Sequence, residues 1–230
     1  MNDWLIEQQR GTTRELHDAA QRRLRAGATD GHRRATVQQA TDRALVLGSA
    51  EPLGHADLDS CAAAGVDVVR RRSGGGAVLV EPTSLVWVDL FVPAGDPLWW
   101  ADVGKAAWWV GEAWRDALGS AGFAGLEVWK GPLQRRRWSD RVCFAGLGAG
   151  EVVFAGSGAK VVGVSQRRTR GGALFQSACL VRWGPAALLG LLAMTDAERA
   201  VANAELPAVA AGVGPALAGK VLAGLLAALP

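Results

Sequence analysis

The sequence predicts an α+β fold, a sheet core covered by helices and closed by a helical C-terminal segment. Three observations carry this. Short apolar runs stopped by glycine or by polar turns recur between residues 44 and 92 and again between 126 and 182, at strand length. Residues 97–121, and then the segments after 185, switch to the 3.6-residue period of helices with one buried face. The 230 residues contain no repeat and no low-complexity linker, which fits one domain over 1–230 with a full core.

The elements follow in order. Leu16, Ala19, Ala20 and Leu24 at helical spacing predict an inward-facing helix over 12–26, followed by a polar loop from Gly27 to Arg34. Residues 44–47 form a short buried strand stopped at Gly48. Asp57 as N-cap and Gly65 as C-terminal stop frame a helix over 57–64. Strands are expected at 66–71, 77–80 and 85–92, the last alternating Val86, Val88 and Leu90 against Trp87, Asp89 and Phe91. The longest helix is expected over 97–121, with Trp100, Val103, Ala107, Val110, Ala113, Trp114, Ala117 and Leu118 on its apolar stripe. A strand near 126–130 precedes a basic loop at 134–140, and 151–155 pairs with 160–165 around Ala155-Gly156-Ser157-Gly158. Another strand is expected over 174–182, then helices at 185–193, 196–204 and 216–229; Thr195-Asp196-Ala197-Glu198 supplies a capping start for the second of these.

Composition excludes several classes. Half of the residues are apolar, so the chain is globular rather than disordered. The net charge of +3 gives no nucleic-acid signature by totals, although arginines group at 22–25, 33–34, 70–72, 135–137 and 167–170. Ten tryptophans and no tyrosine, clustered at 99–100 and 108–114, point to helix faces packed on a sheet or to an interface. Cys61, Cys143 and Cys179 have neither disulfide-framework nor metal-ligand spacing, so a reducing cytoplasm is expected. His17, His32 and His55 form no metal set, and no metal site is expected. The first residues lack the apolar centre of a signal peptide. The apolar stretches near 206–230 are broken by proline, glycine and lysine, so no membrane span is expected.

Chemistry concentrates in two segments. In Val68-Val69-Arg70-Arg71-Arg72-Ser73-Gly74-Gly75-Gly76-Ala77-Val78, a strand runs into three consecutive glycines. Without Cβ atoms, Gly74, Gly75 and Gly76 let a ligand approach their amides, and the arginines place cationic forks beside them. Such a turn suits a carboxylate or phosphate, yet no Gly-Lys-Ser/Thr follows and the pattern is not GxGxxG. The second segment is Gly158-Ala159-Lys160-Val161-Val162-Gly163-Val164-Ser165-Gln166.

Together these segments closely resemble the lipoate–protein ligase A and octanoyltransferase family, whose catalytic domain is shared with biotin–protein ligases. The matching motifs are Arg71-Arg72-Ser73-Gly74-Gly75-Gly76-Ala77-Val78 and Lys160-Val161-Val162-Gly163-Val164-Ser165-Gln166, supported by Leu45-Val46-Leu47-Gly48 and Asp57-Leu58-Asp59. The resemblance covers roughly 35–185 and leaves 186–230 as a helical cap. It implies a mixed β-sheet packed with helices. It also implies that Lys160 meets the acyl carboxylate or the phosphate of an acyl-adenylate, and that Arg71, Arg72, Gly74, Gly75, Gly76, Ala77, Gly163, Ser165 and Gln166 bind substrate. As a residue at a strand end, Lys160 is expected to contribute little to packing.

Cys143, in Asp140-Arg141-Val142-Cys143-Phe144, resembles the Cys-Phe nucleophile of the cysteine-dependent octanoyltransferases in its context and its spacing to Lys160. A thiol suits acyl transfer because a thioester keeps the transfer potential without nucleotide. The arginines at 135–137 and 141, and Lys160, would favour its thiolate if the fold brought them close. The same residue between apolar neighbours also fits an inert core cysteine, which is the reading for Cys61 and Cys179. Two segments depart from the family pattern. Ser49-Ala50-Glu51 stands where relatives carry Arg-x-Gln, and Gln176-Ser177-Ala178 stands where they carry a histidine. Both changes remove phosphate or proton-transfer partners and weigh against full adenylation.

Three functions follow. The first is an acyltransferase moving an octanoyl or lipoyl group through Cys143, with Lys160 as the catalytic oxyanion and carboxylate partner, to the lysine of a lipoyl carrier domain or a glycine-cleavage H-type protein. It needs no cofactor and takes an acyl carrier protein as a further partner. The second is an ATP- and magnesium-dependent lipoate–protein ligase, with the adenylate held by Lys160 and Gly74–Gly76. The third is a non-catalytic acyl- or nucleotide-binding homologue.

Overall fold

The computed structural model describes residues 4–27 and 31–230; of the loop expected over 27–34, residues 28–30 lie outside the described residues. The chain begins with a strand that its polar composition hides, β1 (Trp4–Gly11), followed by α1 (Thr13–Ala26) and a second hidden strand, β2 (Arg33–Ala40). In β1 only Trp4 is fully buried, as suits an edge strand with one wet face. Helix α1 starts where the chain dictates: the Thr12 side chain accepts from the Glu15 amide and the Glu15 carboxylate accepts from the Thr12 amide, a reciprocal cap. Because α1 crosses between them, β1 and β2 pair in parallel.

Next come β3 (Ala44–Leu47), α2 (Leu58–Ala63), β4 (Asp67–Arg70), β5 (Val78–Val80) and β6 (Leu85–Pro93). Asp57 caps α2 by accepting from the Ser60 amide, and Gly65 turns the chain out at φ +63°. The second half holds α3 (Trp108–Ala121), β7 (Leu126–Val128), β8 (Val152–Phe154), β9 (Lys160–Thr169), β10 (Gly172–Leu180), α4 (Pro185–Leu189), α5 (Asp196–Glu205) and α6 (Pro215–Ala228).

Helix α3 is shorter than its apolar stripe implies. Over 97–107 the backbone turns instead. Asp96 accepts from the Leu98 amide and Asp102 from the Gly104 and Lys105 amides, local bonds that outcompete a helical ladder. Trp100 and Val103 are therefore exposed, at 38% and 62%, rather than packed. Helix α4 likewise ends before 193, with Gly190 as its C-cap.

Two sheets result. The larger is mixed, in the order β1-β2-β6-β10-β9-β8-β7, with β1 and β2 parallel and the remaining pairs antiparallel. Strand β6 lies third and is covered on both faces, so the alternation in its sequence separates two interiors rather than core from water. Val88, Leu90 and Val92 join Trp109, Val110 and Trp114 of α3 and Val221 and Leu225 of α6 in the main core, whereas Phe91 and Leu174 meet Ala20 and Leu24 of α1. The smaller sheet, β4-β3-β5, packs Leu45 and Leu47 against Leu188, Leu189 and Leu206. Its other face carries Val46, Val69 and Val80 and meets Leu85, the first residue of β6. The space between the two sheets holds the site. No helix among the described residues is long and apolar enough to cross a membrane.

Two glycines of α3 test this packing. A methyl group on Gly111 would come within 2.4 Å of the Gly150 carbonyl oxygen, whereas Gly119 faces open space. Gly119→Ala should raise stability by about 0.5–1 kcal/mol through helix propensity. Gly111→Ala should lower it by about 1–3 kcal/mol through overpacking. Urea denaturation of the pair measures both, and equal effects would contradict the close approach of α3 to the 148–151 turn.

Candidate functional site

Where β4 ends, the chain enters the glycine turn and Arg71 folds back into it. The Arg71 guanidinium is buried and donates to the carbonyls of Val46 (3.1 Å), Gly74 (2.7 Å) and Gly76 (2.8 Å). A fork of fixed geometry thus ties β3 to both ends of the turn. The packing admits no side chain at Gly48 or Gly76. A Cβ on Gly48 would lie 1.9 Å from the Gly75 oxygen, and one on Gly76 would lie 2.5 Å from the Val142 nitrogen. Gly75 has φ +93°, a backbone that favours glycine.

Against this turn lies the 3-10 turn Cys143–Ala145. The Ala77 amide donates to the Arg141 carbonyl and the Cys143 amide to the Ala77 carbonyl, each at 3.0 Å, so Ala77 docks the cysteine segment. The Cys143 thiol is half-buried, with Sγ 3.7 Å from Arg71 Nη2 and 3.4 Å from where a Gly75 side chain would begin. The amides of Gly74 and Gly75 donate to no acceptor among the described residues.

Lys160 holds the other side of the Cys143 turn. It is 2% exposed, and its ammonium donates to the Cys143 carbonyl (3.1 Å), the Gly146 carbonyl (3.0 Å) and Glu151 Oε2 (2.8 Å). Three donors meet three acceptors, so the lysine is saturated by its own protein. Glu151, also buried, accepts in addition from the Gly148 and Val164 amides. The Lys160 backbone is pinned by the segment before α6, through Lys160 N to Val209 O and Ala211 N to Lys160 O. The expectation that this lysine contributes little to packing is therefore corrected: it neutralises a buried carboxylate.

These groups line a cavity of about 620 Å³ between the two sheets. Its walls are apolar, with Val46, Val78, Val80, Leu85, Trp87, Phe144 and Val164, and its polar rim includes Arg71, Gly74, Gly75, Cys143 and Lys160. Gly163, Ser165 and Gln166 of β9 also line it, as do both departing segments through Ala50, Glu51, Gln176, Ser177 and Ala178. Three of the residues picked from the sequence stand elsewhere. Arg72 is exposed and outside the cavity, its carbonyl accepting from Arg167, while Gly76 and Ala77 serve the packing of the cysteine segment. Of the arginines expected around Cys143, Arg137 pairs with Glu205 and Arg141 donates to the Ala193 carbonyl, while Arg135 lines the cavity paired with Asp140. The cation beside the thiol is Arg71.

Sequence reasoning missed a buried polar chain in the wall. The His17 ring packs at a tilt against Trp87 with centroids 4.9 Å apart, Trp87 Nε1 donates to Asp89 at 2.8 Å, and Gln38 and Gln176 donate to the same carboxylate. Burial, reinforced by the Arg71 charge, lowers the His17 pKa to about 4, so the ring is neutral at pH 7. Burial raises Asp89 to about 6 against the pull of its three donors. The period-two pattern of β6 was the available signal, since it places Trp87 and Asp89 on one face. Among the described residues no group of three His, Cys, Asp or Glu is placed to hold a metal ion.

The lipoyl protein ligase A/B catalytic-domain model matches residues 19–213. The chain belongs to this family. Its reaction class is accordingly lipoyl or octanoyl transfer or ligation to protein, and the match reaches beyond 35–185 into α1, β2 and the α5 region. Solved structures share the fold at low identity. One is the bipartite lipoate protein ligase of Thermoplasma acidophilum described with its E2 lipoyl domain: TM-score 0.76, 16% identity, 99% of this chain and 82% of that one. Another is a putative lipoate protein ligase from T. acidophilum with bound lipoic acid: TM-score 0.69, 19% identity, 99% and 83% covered. A third is a lipoate–protein ligase A bound with ATP: TM-score 0.69, 18% identity, 99% and 83% covered. No curated protein matches the chain.

Two outcomes test this geometry. Lys160→Met should cost about 3–5 kcal/mol by stranding the Glu151 carboxylate, and adding Glu151→Gln should recover part of the loss. Additive losses in urea melts would contradict the pair.

The wall chain has a pH signature. His17, depressed from 6.5 to about 4, stabilises the fold above pH 6.5, and that stability is lost as pH falls toward 4. Asp89, raised from 3.8 to about 6, works the other way: its stabilising protonated form is gained as pH falls from 6 toward 3.8. His17→Gln should therefore flatten the acid-side loss by up to about 3 kcal/mol, and Asp89→Asn should steepen it. Stability measured from pH 7 to pH 4 gives the slopes, and unchanged slopes would refute both assignments.

Proposed function

We propose that the protein transfers an octanoyl or lipoyl group through a thioester on Cys143 to the lysine of a lipoyl domain. The observation that carries this reading is the position of Sγ. Of three cysteines, Cys143 alone is half-buried and lines the cavity, beside the glycine turn and 3.7 Å from a buried guanidinium. Cys61 and Cys179 are buried elsewhere, and burial raises both thiols, Cys179 to about 12. An apolar cavity ending at a thiol and unengaged glycine amides suits an acyl chain whose carbonyl sits at the rim.

The chemistry then runs in two halves. Sγ attacks the carbonyl carbon of an acyl thioester, such as that on an acyl carrier protein; the new C–S bond forms and the carrier thiol leaves and takes a proton. The lysine amine of a lipoyl domain or H-type protein next attacks the Cys143 thioester, the C–N bond forms, and the thiol is regenerated. The free amides of Gly74 and Gly75 would receive the carbonyl oxygen in both tetrahedral intermediates. Lys160, with Glu151, positions the Cys143 turn from behind. Saturation of Lys160 also favours this reading over adenylation, because a bound phosphate would have to displace Glu151 or a carbonyl.

The second reading, an ATP- and magnesium-dependent ligase, draws on the relatives described with ATP and with lipoic acid. One experiment separates them. Wild-type protein incubated with octanoyl-acyl carrier protein and no nucleotide should gain the acyl mass on Cys143. Cys143→Ser should lose turnover roughly a thousandfold while still binding donor. Full activity of Cys143→Ser, strict dependence on ATP and release of pyrophosphate would establish the ligase instead.

A further inference from the structure

The acyl cavity shares a wall with a second one. A cavity of about 490 Å³ lies on the far side, between the end of β2, the turn from β5 to β6, and α6, where Leu222 lines it. Val80, Leu85 and Trp87 line both cavities. These three residues therefore stand between the first cavity and a second space of similar size.

The wall is braced rather than loose. Trp87 is 6% exposed, its indole N–H held by Asp89 and its ring packed against His17. Its strand is fixed on both sides, Trp87 pairing with Gln38 of β2 and with Ala178 of β10. Val80 and Leu85 pack together with Val46 and Val69 in one apolar cluster. The second cavity is also less suited to hydrocarbon than the first. Gln38 lines it, and the buried Gln38 Oε1 has no partner among the described residues. A methylene tail pushed there would cover an acceptor and offer it no donor.

From this geometry we infer that Val80, Leu85 and Trp87 form the ruler that limits acyl chain length. They hold the ω-end of a medium chain and exclude longer fatty acyl groups from the second cavity. The inference rests on the acyl reading of the first cavity, and it applies to a thioester or an adenylate alike. Trp87 and Leu85 are specificity determinants that touch the tail and take no part in bond making.

The test uses the full chain as wild type, Leu85→Ala and Trp87→Leu. Octanoyl- and tetradecanoyl-acyl carrier protein compete at equal concentration for loading of Cys143, read by intact mass, and calorimetry measures direct binding of free octanoate and tetradecanoate. Wild type should favour the octanoyl chain, and each variant should raise the tetradecanoyl-to-octanoyl ratio by about tenfold or more in both assays. Leu85 donates no hydrogen bond from its side chain, so Leu85→Ala keeps the test alive if thermal melts show that Trp87→Leu does not fold. An unchanged ratio in a folded Leu85→Ala that still takes octanoyl chains overturns the ruler alone. Selective binding without loading overturns the thioester and supports the ruler. Neither binding nor loading of either chain by wild type overturns the acyl cavity and the ruler together.

Discussion

The Cys143 turn is held between two buried cations, and the site depends on that double constraint. On one side Arg71 gathers the carbonyls of Val46, Gly74 and Gly76 and reaches the thiol. On the other, Lys160 gathers the carbonyls of Cys143 and Gly146 with the Glu151 carboxylate. A buried charge is tolerable only when its donors are met, and each acceptor used here is a backbone or side-chain oxygen of a site segment. Desolvation thus becomes a positioning force: neither cation is satisfied unless the glycine turn, the cysteine turn and the 148–151 loop converge.

Between those cations, charge in the cavity wall is either suppressed or paired. Burial suppresses the charge of His17, and the buried Asp89 carboxylate is surrounded by three N–H donors. On the acyl reading a chain would meet indole, imidazole and aliphatic surface, while the buried ions that also line the cavity, Glu51, Arg71, Glu151 and Lys160, are each engaged by hydrogen bonds of the protein. The same low dielectric that would punish a misplaced ion strengthens the dipoles of the free Gly74 and Gly75 amides where a carbonyl would sit.

Much of this was legible in the chain. The capping pairs Thr12–Glu15 and Thr195–Glu198, the Asp57 cap and the stop at Gly65 are local events, and local chemistry fixes them. The strands β3, β5, β6, β9 and β10 declare themselves by apolar runs. Strands β1 and β2 do not, because their partners come from across the sheet and their sequences, rich in Glu, Gln and Arg, carry little pattern. The apolar stripe before Trp108 misled for the converse reason, since Asp96 and Asp102 settle the backbone locally before packing can act. At the site, the motifs located the glycine turn and Lys160, but their partners were hidden. Nothing in the spacing announces that Glu151 would claim the lysine, that Arg71 would turn inward while Arg72 faces water, or that Arg137 and Arg141 would bond to the α5 side instead.

That division bears on how one scaffold serves two chemistries. A lysine at the start of β9 can meet an incoming phosphate only while it keeps a donor free. Here the donors are spent on holding the cysteine turn, and the carboxylate that completes them lies in the loop just before β8. On the thioester reading, the balance between ligase and transferase is set by what faces that lysine as well as by the presence of a thiol. On that reading, a buried glutamate that neutralises the lysine, a guanidinium that holds the glycine turn and a half-exposed sulfur between them would take the place of nucleotide activation. The activation would then arrive with the donor thioester, leaving the two cations the task of aiming the sulfur.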